Sequence, residues 1–110
     1  MMDAPRNTAP NVREADFFFD RDFAGFEGHF PGDPMLPGIA QIMAVVLTAR
    51  PREDAKLLRI GRTKFMSMVR PGDTMRVRAT LTENETEITV AGDCSTKGGP
   101  CAQIKLVLER

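Results

Sequence analysis

From residue 74 to the C-terminus, apolar and polar side chains alternate. Met75, Val77, Ala79 and Leu81 fall on one side, and Arg76, Arg78, Thr80 and Thr82 on the other. Ile88, Val90, Gly92 and Cys94 continue the apolar set, and Ala102, Ile104, Leu106 and Leu108 complete it. Period two is the pattern of a strand with one face buried. Breaks at Arg70-Pro71-Gly72-Asp73, at 83–85 and at Lys97-Gly98-Gly99-Pro100 read as turns, because proline and glycine supply the dihedral angles that turns need. Residues 57–69 read as a longer, mixed strand with Gly61 a candidate bend. Residues 14–20, around Phe17-Phe18-Phe19, read as a short strand.

One stretch breaks this pattern. Residues 39–49 are apolar on nearly every side. Pro37 suits the first turn of a helix, and Pro51 stops it after Arg50. A helix over 38–50 is about 20 Å long at about 1.5 Å per residue, and its all-round apolarity predicts burial on most faces. One helix followed by four strands with short connections implies an α+β layout, an antiparallel sheet packed on that helix.

The segment before the helix, residues 28–38, holds the chain's single histidine, three of its eight prolines and three of its nine glycines. Prolines at 31, 34 and 37 stiffen it by fixing φ and extending the residues before them. His29 is the side chain suited to proton exchange near neutral pH. The free N–H groups at the helix start, near Gly38 and Ile39, form a positive end able to hold a carbonyl oxygen as it gains charge. A base beside such a site fits removal of a proton next to a thioester. A hydrogen-bonded loop histidine is the plainer alternative.

His29, Phe30, Pro31, Gly32, Pro34, Pro37 and Gly38, with a second match at Lys64-Phe65 and Val69-Arg70-Pro71-Gly72-Asp73, resemble the β-hydroxyacyl-acyl-carrier-protein dehydratases. The resemblance implies a hotdog fold, an antiparallel sheet wrapped around one long helix. It implies His29 and Gly38 as the catalytic pair, with Phe30, Pro31, Gly32, Pro37, Ile39, Gln41 and Met43 around the substrate. It calls for no cofactor. The implied partners are an acyl carrier protein bearing a 3-hydroxyacyl thioester and a second subunit, identical or related. The family's helix acid, fourteen positions after the histidine, is here Met43, and no Asp or Glu occurs between Asp33 and Glu53. Gln41 can hydrogen-bond but sits two residues from Met43, on a different helix face. The reading is therefore a dehydratase-like protein whose acid is missing or supplied by another chain. A non-catalytic subunit that binds acyl chains or pairs with an active homologue is the first alternative. A thioesterase is the second.

Composition narrows the class. A length of 110 residues fits one domain. Fifteen basic and fifteen acidic side chains cancel, which excludes the strongly basic footprint of a nucleic-acid binder. No apolar run reaches the ~20 residues of a membrane span. Residues 1–12 lack the apolar core of a signal peptide and read as a polar, frayed leader, so the expected compartment is the cytoplasm. Cys94 and Cys101 are expected to stay reduced, and no metal site is expected, since zinc wants four ligands. Six of the seven phenylalanines lie within 17–30 and, with Met35, Met43, Met66, Met68 and Met75, read chiefly as packing. Arg62, Lys64, Arg70, Arg76 and Arg78 read as a solvated sheet face, with carrier docking as the alternative.

Overall fold

The computed structural model describes residues 2–21 and 36–110. Its elements are strands β1 (Arg6–Ala9) and β2 (Val12–Phe18), helix α1 (Gly38–Ala49), and strands β3 (Leu57–Phe65), β4 (Thr74–Glu83), β5 (Glu87–Thr96) and β6 (Gly99–Glu109). The strands form one antiparallel sheet in the order β1-β2-β4-β5-β6-β3. The α+β hotdog arrangement expected from the pattern is present.

The alternating pattern fixes which side of the sheet is covered. Met75, Val77, Ala79, Ile88, Val90, Cys94, Ile104, Leu106 and Leu108 are buried on the side facing α1. On the helix, Gln41, Ala44, Val45, Thr48 and Ala49 are buried at the three- and four-residue spacing that places them on one face. That face packs across β2, β4, β5 and β6. It lies tight against the sheet at Gly92, where an added Cβ would stand 2.8 Å and 2.9 Å from the two methyls of Val45. Glycine is required there by proximity. At the turn before β4, Gly72 has φ +91°, which only glycine adopts freely. The Asp73 N–H donates to the Arg70 carbonyl at 3.0 Å, and the Asp73 carboxylate accepts from the Arg70 N–H at 2.8 Å. This closes the turn seen in the sequence.

Two expectations change. Residues 6–9 are not a frayed leader but β1, paired antiparallel with β2. Asn11 at φ 60° turns the chain between them, and Arg6 faces Glu14 and Asp16. The strand expected over 57–69 ends at Phe65. β6 carries a bulge at its start, with Cys101 and Ala102 both buried in succession. The Cys101 carbonyl accepts from the N–H groups of Met66 (2.9 Å) and Ser67 (3.3 Å), drawing the chain out of the ladder. As expected, α1 is buried or half-buried on most faces; the exception is a narrow strip at Ile39 and Met43, which are 62% and 43% exposed. Of the methionines read as packing, Met75 is in the core, whereas Met43, Met66 and Met68 lie at the surface. Phe17 and Phe19 are buried and stack with ring centres 6.4 Å apart.

Candidate active site

Everything at the start of α1 follows from Pro37. It caps the helix in an extended conformation, and its carbonyl accepts from Ala40 (3.1 Å) and Gln41 (3.4 Å). No side chain caps the helix and no acid lies in its first turn. The N–H groups of Gly38 and Ile39 therefore have no partner among the described residues, leaving a positive helix end available to an oxygen acceptor. The ring of Phe65, from the end of β3, lies against Gly38. A Cβ at position 38 would approach its Cζ to 2.8 Å. Gly38 thus keeps the helix start bare and seats an aromatic beside it.

Phe65 is a site residue that sequence reasoning missed. It entered only as part of a motif, and nothing in its spacing pointed to Gly38. Half exposed, it begins an apolar surface with Ile39 and, one helical turn on, Met43. Gln41 points the other way. It is 3% exposed, and its Oε1 has no hydrogen-bond partner among the described residues. The structure thus separates Gln41 from Met43, as their spacing requires. His29, Phe30, Pro31 and Gly32 lie outside the described residues.

The cysteines add no chemistry here. Both thiols are free and buried. Burial, and then the neighbouring Cys101, push Cys94 up to about 12, and burial pushes Cys101 up to about 11. Neither forms an appreciable thiolate at neutral pH. Among the described residues no cluster of His, Cys, Asp or Glu could hold a metal, and no helix is long and apolar enough to cross a membrane.

The single-helix sheet has counterparts among known proteins. The model of the ApeI-like family, described as ApeI dehydratase, matches residues 6–104. The chain belongs to the ApeI-like family. This ApeI-like chain is also 33% identical over 97 residues to a 3-hydroxyacyl-[acyl-carrier-protein] dehydratase, FabZ, of Rickettsia akari, covering 73% of this chain and 67% of that protein. In structure it resembles the dehydratase heterocomplex ApeI:P from Xenorhabdus doucetiae, with a TM-score of 0.79 at 24% identity, covering 100% of this chain and 97% of that one. It also resembles a hypothetical thioesterase with coenzyme A from Streptococcus pneumoniae, with a TM-score of 0.75 at 8% identity, covering 99% and 84% of the two chains. These two structural likenesses establish the shared fold.

Proposed function

We propose that the ApeI-like chain is a dehydratase-like protein acting on 3-hydroxyacyl thioesters presented by an acyl carrier protein, in fatty-acid or specialised acyl-chain synthesis. The observation that carries the reading is the open helix start at Gly38, uncapped by any side chain. In this reading His29 takes the α-proton, and the thioester oxygen gains charge against the Gly38 N–H. The Cβ–O bond then breaks, and the hydroxyl departs as water once it has received a proton. Phe30, Pro31, Gly32, Pro37, Ile39 and Met43 surround the substrate, Gln41 being turned away into the core, and no cofactor takes part.

The proton for the leaving group has no donor on α1. Met43 stands where the family's acid would be, on the face turned from the sheet. Strand β3 is an edge of the sheet with Leu58, Ile60 and Phe65 exposed, and an edge of this kind invites pairing with another chain. The assembly in this reading is a dimer through β3 and the open side of α1, with the second subunit either identical or a related dehydratase. That arrangement also favours a second reading, a non-catalytic subunit whose active partner carries the acid. Incubation with a 3-hydroxyacyl thioester, alone and with an acid-bearing homologue, separates the outcomes. Enoyl product from the chain alone supports the dehydratase reading, and product from the mixture only points to the partnered subunit. Free thiol points to a thioesterase, and no product in either case points to acyl binding alone.

A further inference from the structure

The sheet has a second face, turned away from α1, and its charges are unevenly paired. Arg6, Arg52, Arg59, Arg76 and Arg110 each face a carboxylate. The Arg76 guanidinium is held by both Asp16 oxygens, at 2.8 Å and 3.1 Å, which removes it from any basic docking patch. Arg62, Lys64 and Lys105 are different. Their side chains have no ion pair or hydrogen bond among the described residues, and all three line one groove of about 490 Å³.

Strand geometry explains the clustering. Arg62 and Lys64 alternate onto the same face of β3, and Gln103 and Lys105 onto the same face of β6. Lys64 stands opposite Gln103. The register of β3 on β6 is irregular between Ile60 and Thr63, and Gly61 sits beside Lys105, where a Cβ would make ordinary contact with the Lys105 carbonyl oxygen at 3.4 Å. Ala91, opposite Lys105, leaves the floor low. The groove also carries one carboxylate, Asp93, which has no ion pair among the described residues and is outnumbered by the three cations. Three unpaired cations around a small concavity repel one another, and an anion in their midst relieves that repulsion.

We propose that this groove binds the phosphate group of a small phosphorylated ligand, held by Arg62, Lys64 and Lys105 with the Gln103 amide as a further donor. Lysine and arginine both recognise phosphate, the first as a point charge and the second through its forked guanidinium. The volume lies within the ~300–1,000 Å³ range of small-molecule sites. The groove is on the opposite side of the sheet from α1, so the inference stands independently of the chemistry at Gly38.

The test is amide NMR of the intact chain titrated with inorganic pyrophosphate and, separately, with ADP, at low ionic strength where charge pairing is least screened. The expected result is saturable shifts at residues 62–64, 91–93 and 103–105 with both probes. Equal affinities assign recognition to the phosphates alone, and tighter ADP binding assigns it to a nucleotide-bearing ligand. Lys64→Ala/Lys105→Ala, at exposed positions that leave the core intact, should weaken either probe by about tenfold or more, since hydrogen bonds to charged groups are the strong ones. No saturable shift up to about 10 mM, the weak end of small-ligand affinity, would overturn the site. So would shifts confined to other residues, or a double variant that binds as tightly as the parent.

Discussion

Two parts of α1 differ in environment although its sequence is apolar nearly throughout. On one side Ala44, Val45, Thr48 and Ala49 are sealed against the sheet, and Val45 meets Gly92 at the limit of contact. On the other, Ile39 and Met43 face outward beside the ring of Phe65. The first side is finished by this chain. The second is apolar surface exposed among the described residues, as expected of a face that meets a substrate or another subunit. An apolar helix therefore reports both what a chain buries by itself and what it leaves for a partner.

The largest effect that would sharpen this contrast is on the sealed side. Ile104→Ala and Leu106→Ala, at fully buried positions, should each cost about 2–5 kcal/mol. Chemical denaturation measures it, and a loss below ~1 kcal/mol would show that the core is not where the burial places it. Gly92→Ala comes next. Its methyl would stand against Val45 and 3.2 Å from the Ile104 carbonyl oxygen, so overpacking of about 1–3 kcal/mol is expected in the same assay. On the open side the outcome reverses. Ile39→Ser/Met43→Ser should leave the fold of a single chain within ~0.5 kcal/mol per site while shifting light scattering from dimer towards monomer. An unchanged dimer would remove this face from the interface.

Much of this was legible because the two periods are distinct. Alternation at 75–81, 88–94 and 102–108 selected the covered face correctly, and Pro37 and Pro51 bracketed the helix. β1 was not legible, because Arg6-Asn7-Thr8-Ala9 has no apolar pattern and becomes a strand only by pairing with β2. Nor was the end of β3, which is set by a bulge in β6 far along the chain. The helix's open side was hidden by its own uniformity, since an apolar run cannot distinguish core from interface. At the candidate site, Gly38 and the separation of Gln41 from Met43 could be read from spacing. The seat of Phe65 on Gly38 could not, because it is a contact between distant segments.

The smallest effect concerns the outward face. The Arg76 guanidinium beside Asp16 holds that carboxyl below the usual carboxylate range. A lowered folded-state value means stability that is present above the unfolded value and is lost as pH falls through the folded one. Asp16→Asn should therefore lower stability slightly at pH 7, as expected of a surface pair, and the difference from the parent should close as pH falls below about 4, flattening the acid limb. A variant with the same acid limb as the parent would assign that limb to other carboxylates.

The central claim is that the chain carries the proton-removing half of a dehydratase and lacks the acid at Met43. The measurement that tests it most directly is enoyl product formed from a 3-hydroxyacyl thioester by the parent, by Met43→Glu and by His29→Ala/Met43→Glu, each first shown to be folded and dimeric. The account predicts a slow or silent parent, a clear gain with Met43→Glu, and a loss of about 100-fold or more from that gain when His29 is also removed, the usual scale for a general base. A parent as fast as Met43→Glu, or a double variant as fast as Met43→Glu alone, would contradict it.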